Sequence, residues 1–545
     1  MAQQNQNDEE ELASEATEFF DIFREHLRAG YQVLFVHTSE EARVEVEIGR
    51  AARRSKSDVI TWDCAAGFGH DHLRNNQEYK DPIKALDAIV QPNFLPNDTN
   101  GHHVFVFRDL DDYLQDPRVR RRIKTYAETN GLVNSRFKRP LVILSALSQI
   151  PAKLRTAVTV LDFKLPDEAQ MLRKIEFVRA SVAKQNVQKA QLSPELADQI
   201  AVNLLGLTSN EAENCLSRCF VIHDGFKQEM LGTIKEEKAA IIKKSEVLTY
   251  IPEDSIRDLS TIGGYDQYIE WLEMRKKSYS RAAQAQMIDF PRGVVLLGLP
   301  GTGKSMIGKT TCKILGLPGY ILDIGSLFGS LVGESEQRTR DVLKQIDAQK
   351  GCVLMIDEAD KALGNAHSST GDSGVTRRVF GAILTWLAEN KSRTFTIMTL
   401  NRTDGLPPEL TRAGRFDAMF YTDLPNDLER RQILDIHLRI RGVDPNTLPF
   451  KAADWGEVIK KTENFVGSEL EEVVREARYR AFARTNAGIP SFEDLIEATG
   501  TVIPMMQRDP AAMDTIRDFC KNKARPVTSP AVVAGGGGRR HRAVE

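Results

Sequence analysis

Residues 298–305 read Gly-Leu-Pro-Gly-Thr-Gly-Lys-Ser, a G-x-x-x-x-G-K-[ST] pattern. The apolar run Val294-Val295-Leu296-Leu297 precedes it, and a helical pattern follows from Met306. This order constrains the fold more than any other feature. A buried strand has to end, the chain has to turn through glycines, and a helix has to begin with its free N–H groups aimed at the turn. Such a loop cradles phosphates. Gly298, Pro300, Gly301, Thr302 and Gly303 shape it, and Met306 continues the helix that it opens. Lys304 is suited to neutralise β and γ phosphates, and Ser305 offers a hydroxyl to Mg²⁺. The expectation is ATP binding and Mg²⁺-dependent hydrolysis.

The surrounding sequence fits. Apolar runs at 294–297, 320–323, 353–356 and 395–398 alternate with longer helical patterns, which predicts a parallel sheet flanked by helices. After Leu424-Pro425 the strands are expected to stop. Helices are predicted over 428–439, 455–462, 467–483 and 491–499. The third run ends in Asp357-Glu358, carried to the C-terminal end of a strand, where open α/β sheets bind ligands. Asp357 is a candidate Mg²⁺ ligand through water, and Glu358 a candidate base for the attacking water. Asn401 follows the fourth run and has an amide able to position that water. Arg412 and Arg415 form an R-x-x-R pair, either a surface ion-pairing feature or arginine fingers offered to a neighbouring site.

Residues 1–245 repeat the plan more weakly. Strands are expected at 32–36, 104–107 and 141–144. Leu165-Pro166-Asp167 parallels Leu424-Pro425-Asn426, and the segment 206–211 parallels 465–470, offset by roughly 260 positions as in a duplicated domain. After its first strand, however, the chain reads His37-Thr38-Ser39-Glu40-Glu41-Ala42-Arg43, with neither a glycine turn nor a lysine. Carboxylates there would repel a triphosphate. The first copy is expected not to hydrolyse ATP.

Composition narrows the alternatives. A net charge of −3 over 545 residues gives no global attraction to nucleic acid, and no basic–aromatic stripe stands out. No apolar run approaches the roughly 18–20 residues of a membrane span. The polar, acidic start is neither a secretory signal nor a transit peptide, so a cytoplasmic or organelle-stromal location is expected. The six cysteines form no C-x-x-C pair; Cys215 and Cys219 read as reduced thiols one helical turn apart. His70-Asp71-His72 is too short for a metal site, and no H-E-x-x-H occurs. Four glycines from Gly535 and a basic end at 539–542 predict a flexible tail.

Taken together, these motifs resemble the AAA subfamily of AAA+ ATPases over about residues 258–505. Asp258 to Gly264, with Ile262 and Gly263, is similar to its adenine-side segment. Gly298–Ser305 resembles its Walker A, Asp357-Glu358 its Walker B and Asn401 its sensor 1. Arg412 and Arg415 match its paired fingers. Gly467 and Ser468 match its lid segment beside the adenosine, and His437 a lid histidine near the nucleotide. Leu470 stands where wider AAA+ proteins carry a sensor-2 arginine. The whole chain resembles an uncharacterised plastid and cyanobacterial AAA family, through residues 371–381 and the ending Ile516 to Pro526. The resemblance implies an α/β P-loop core over 250–425 with a helical lid over 426–505. A degenerate AAA-like domain over 21–245 precedes it, residues 1–20 form a disordered start, and a helix and basic tail occupy 506–545. It further implies a homo-oligomeric ring, a hexamer, acting on a protein substrate that the sequence does not specify. A nucleic-acid-associated motor and a regulatory ATPase switch are the alternative readings. Residues 329–336 match the first pore loop, with Leu331 where an aromatic is usual and Phe328 nearby.

Overall fold

The computed structural model describes residues 18–528 except 71–72, 74–75, 92–93, 95–101, 134–138, 147–149, 185, 244–246, 328–333, 350, 365–372, 390–391, 404–405, 407–409, 411, 413, 510 and 521–522. The start at 1–17, the pore-loop positions Phe328 and Leu331, the pair Asp71-His72, residues 371–372 and the tail from 529 therefore lie outside the described residues. The chain forms two compact units that divide between Lys235 and Glu236.

The first unit is built on β1 (Val33–His37), β2 (Asp58–Asp63), β3 (Gly67–Phe68), β4 (His103–Arg108), β5 (Leu141–Ser145) and β6 (Thr159–Asp162), ordered β3-β2-β4-β5-β1-β6. All neighbours are parallel except β3, which runs against β2. Strands β4 and β5 are almost wholly buried, as expected for a parallel sheet covered on both faces. Helix Glu168–Ala183 starts at an Asp167–Gln170 capping box, and Ser209–His223 at a Thr208–Glu211 box.

The second unit contains β7 (Leu248–Ile251), β8 (Gly293–Gly298), β9 (Gly319–Leu322), β10 (Val353–Ile356), β11 (Phe395–Leu400), β12 (Ala418–Thr422) and β13 (Arg525–Pro526), ordered β13-β12-β8-β11-β10-β9-β7. The path β9-β10-β11-β8-β12 repeats β2-β4-β5-β1-β6: in both units the first strand of the five lies between the fourth and the fifth. Helix Asp427–Ile440 opens with an Asn426–Glu429 capping box, the counterpart of Asp167–Gln170. With Ala452–Lys461, Gly467–Thr485 and Phe492–Thr501 it forms the lid, around a core that includes Leu434, Leu438, Trp455, Val458, Leu470 and Leu495.

Strands do not stop after Pro425. β13 returns to the sheet and pairs in parallel with β12, Phe420 opposite Arg525 and Tyr421 opposite Pro526. Pro526 donates no hydrogen bond, which confines it to an edge strand and hides the segment from a hydrophobic-run reading. Val527 O then accepts from Gln267 N at 3.0 Å and Tyr268 N at 3.3 Å.

Candidate functional site

At the C-terminal end of β8 the chain turns through Gly301 (φ 78°) and Gly303 (φ 92°) into helix Lys304–Leu315. A side chain at position 301 would run into Ser468 Oγ of the lid, so only glycine suits both the angle and the space. Lys304 is almost fully buried, its ammonium donating to Gly298 O at 2.8 Å and Leu299 O at 2.7 Å. Burial lowers its pKa to about 8, against the opposing pull of Asp360, Asp357 and Glu358.

β10 and β11 bring the acids and the amide alongside. Ser305 Oγ donates to Asp357 Oδ1 at 2.8 Å, and Thr399 Oγ1 donates to the same oxygen at 2.5 Å. These are hard oxygen donors, the set that Mg²⁺ prefers. Glu358 takes a left-handed backbone (φ 49°) and donates its N–H to Thr399 Oγ1 at 2.8 Å. Asn401 Nδ2 donates to Glu358 Oε1 at 3.2 Å, and Asn401 N to Asp360 Oδ1 at 3.0 Å. An ion pair with Lys361 holds the Glu358 carboxyl below its ordinary range, so it is ionised at neutral pH.

A cavity of about 530 Å³ joins these groups to the lid. Of the sequence-derived candidates, Gly263, the loop from Pro300 to Met306, Glu358, Asn401, His437, Gly467 and Ser468 line it. Ser468 N donates to Gly301 O at 3.0 Å, tying lid to loop. Burial lowers the His437 pKa to about 4, leaving a neutral imidazole beside Glu471 and Arg441. Gly298 and Ile262 are buried behind the wall, and Asp357 reaches the cavity through Ser305. Arg412 and Arg415 do not line it; Arg412 is exposed.

Four families of sequence match this chain. A model described as SpoVK-like AAA ATPase, N-terminal domain, matches residues 19–163, and its second-domain counterpart matches 173–245. The model of the ATPase family associated with various cellular activities (AAA) matches 294–424, and that of the AAA+ lid domain 452–497. An uncharacterized AAA domain-containing protein ycf46 of Pyropia yezoensis is 32% identical over 493 residues, covering 90% of this chain and 95% of the relative. The chain belongs to the ycf46-type AAA ATPases. The ycf46 protein of Trieres chinensis is 31% identical over 482 residues, 88% of this chain and 92% of its own. The ATP-dependent zinc metalloprotease FtsH of Burkholderia pseudomallei is 29% identical over 278 residues, 50% of this chain and 40% of that protein.

This AAA ATPase also uses residues the motifs did not single out. Tyr265 donates its hydroxyl to Thr302 O at 2.9 Å, bracing the phosphate loop, and also contacts Thr422 Oγ1 at 3.2 Å. Arg257, Lys309 and Glu471 line the cavity, adding two cations and a carboxylate. Asp360 was readable as the further acid of Asp-Glu-Ala-Asp, and Thr399 as a hydroxyl two residues before Asn401. Tyr265 and Glu471 carry no local signal. No groups of three or more metal-ligating side chains occur among the described residues. No described helix is long and apolar enough to cross a membrane. Cys215 and Cys219 are buried thiols outside any disulfide, and burial pushes the Cys312 and Cys352 thiols up to about 12.

The first unit has a different chemistry at the matching position. The residue after β4, Asp109, keeps a left-handed backbone (φ 51°), as Glu358 does after β10, but Arg108 stands where Asp357 stands. Arg108 binds Glu45 through two bonds of 2.6 and 2.7 Å. Only one of the two expected carboxylates is turned inward. Glu40 is buried against Arg43 and Ser209, because those partners offset the cost of its burial. Glu41 is half-buried, and burial with Asp109 close by raises its pKa.

Proposed function

We propose that the second unit hydrolyses ATP at the cavity between loop and lid, and that the first unit is a degenerate copy without turnover. Lys304 and the loop N–H groups hold the phosphates. Ser305 and Asp357 hold Mg²⁺, which supplies charge neutralisation on the phosphate oxygens. Glu358 takes a proton from water as that oxygen bonds to the γ phosphorus; the bond to the β–γ bridging oxygen breaks and its electron pair leaves with ADP. Asn401 orients the water and Glu358. The Glu358–Asn401 hydrogen bond of 3.2 Å on the cavity wall carries this reading. His437, Gly467 and Ser468 flank the adenosine, with Ile262 and Gly263 on the adenine side.

Arg412 and Arg415 lie outside their own chain's cavity, which suits fingers given to a neighbour in a homo-oligomeric ring, proposed as a hexamer. The ring remodels a protein substrate, and the unit over 21–245 recruits or regulates. A reducing compartment, cytoplasm or organelle stroma, fits six cysteines outside any disulfide. The decisive experiment is Glu358→Gln. Turnover should fall by about 10²–10⁴ while ATP remains bound; unchanged turnover would remove Glu358 as the base.

A further inference from the structure

Two lid helices meet at the cavity wall through a three-residue contact. Arg441 follows the last turn of helix Asp427–Ile440. Its Nη2 donates to Glu471 Oε1, on helix Gly467–Thr485, at 2.7 Å. Its Nη1 lies 3.3 Å from His437 Nδ1 and donates to His437 O at 3.2 Å. His437 and Glu471 line the cavity, and Arg441 does not. A basic residue at a helix C-terminus ordinarily offsets the dipole and needs no further role. The nitrogen that Arg441 meets on His437 gives it one.

A guanidinium donates hydrogen bonds and accepts none. His437 Nδ1 is therefore the bare, accepting nitrogen. Burial lowers the imidazole's pKa to about 4, with Glu471 pulling it up and Arg441 and Arg257 pushing it down, so the ring is neutral. A neutral imidazole with a bare Nδ1 carries its proton on Nε2. Nε2 has no hydrogen-bond partner among the described residues. The opposite tautomer has a ready acceptor, because Glu471 Oε1 is 3.8 Å from Nδ1. Arg441 occupies that oxygen and blocks the exchange. Burial would raise the Glu471 pKa, but the Arg441 bond outweighs it and the net shift is downward, so the carboxylate is ionised at neutral pH. Its second oxygen, Oε2, has no hydrogen-bond partner among the described residues. The lid thus offers the cavity one fixed donor and one fixed acceptor.

We propose that this pair selects adenine over guanine: His437 Nε2 donates to a ring nitrogen of the base, and Glu471 Oε2 accepts from its exocyclic amino group. Arg441 is the positioning residue that fixes the tautomer of one and the orientation of the other. The proposal rests on the cavity being the ATP site. Adenine carries an N6 amino donor beside the acceptor N7, whereas guanine carries the acceptor O6 in place of that amino group. Glu471 facing O6 would set two acceptors against each other with no proton between them. A site built around a hydrogen bond discriminates strongly when its buried polar group is left unpaired.

Competition of ATP and GTP against a fluorescent adenine nucleotide on the full chain tests the pair. The unaltered chain should favour ATP by at least about tenfold. In Glu471→Gln, Arg441 can accept nothing and so keeps the amide oxygen. The amide NH2 then faces the base, where it suits guanine O6, and the preference for ATP over GTP should fall at least about tenfold. This ratio is insensitive to any loss of folded protein. Arg441→Met frees the ring. In histidine-15N-labelled protein, with His437→Gln to assign the resonance, the His437 proton should move from Nε2 to Nδ1, and ATP should weaken about tenfold. Arg441→Lys, also only a donor, should keep the proton on Nε2. An unchanged ATP-to-GTP ratio in Glu471→Gln, or a proton on Nδ1 in the unaltered chain, overturns the proposal and leaves the ATP site standing. Failure of the unaltered chain to bind ATP overturns both.

Discussion

The carboxylate of Glu40 accepts the backbone N–H of Ser209 at 2.6 Å, across 169 positions of sequence. In the second unit the corresponding bond runs from Ser468 N to the backbone oxygen of Gly301. The loop after the first strand therefore reaches the first turn of the lid-type helix in both units. In the second unit a backbone carbonyl does this and the glycine leaves room beside it. In the first a side chain does it and fills that room. Arg43 neutralises Glu40, stacks over Phe163 at 4.1 Å and also donates to Lys164 O.

Glu40→Ala should loosen this junction. It leaves Ser209 N and Arg43 without their partner, at a cost of about 1–3 kcal/mol. Hydrogen exchange of amides at the start of helix 209–223 should speed up. Glu40→Gln keeps an acceptor oxygen and should have a smaller effect. Equal protection in all three proteins would show that the bond does not hold the helix start.

Lys304 predicts a proton signature. Burial holds its pKa near 8 in the free protein, whereas an unfolded lysine titrates near 10.5. The unfolded chain thus binds more protons between those values, and this group makes folding stability rise with pH across that window. Phosphate bound at the ammonium pulls its pKa back up. ATP binding at pH 8.5 should therefore take up a proton, seen as a dependence of calorimetric enthalpy on buffer ionisation. Affinity should fall as pH rises through 8. Zero uptake would mean that Lys304 already keeps its proton in the free site.

Sharing of sites between subunits can be tested by mixing. An Arg415→Ala chain removes the proposed finger and a Glu358→Gln chain the proposed base, so each alone should be slowed by roughly 10²-fold or more. A mixed ring contains junctions with an intact base on one side and an intact arginine on the other. Activity should return on mixing. No recovery, with mixed assembly verified by crosslinking, would confine the site to one chain.

The parts of the site legible in the sequence are those set by short spacing. The loop 298–305, the pair Asp357-Glu358 and Asn401 each end a strand whose apolar run is visible beside them. The strands left unread are β2, with its mixed Asp58–Asp63 pattern, the peripheral β3, β6 and β7, and β12 and β13. Their burial depends on neighbours rather than on a continuous apolar run. Tyr265 braces the loop through contacts 37 and 157 positions away, which no local pattern encodes. Glu40 is visible in the sequence only as a charge. Its partner lies on a helix whose packing only the folded unit defines.

β12 acquires its outer neighbour about a hundred residues after it is made. At translation rates of roughly 5–20 residues per second, its open edge would wait on the order of 5–20 s. Until Arg525 and Pro526 emerge, the N–H and C=O groups along that edge are a template for any other strand nearby. Val527 cannot yet hold Gln267 and Tyr268 either, so the segment bracing the phosphate loop also awaits it. The proposed ATP site would thus be braced only late in synthesis, and until then the open edge of β12 is a hazard of its own.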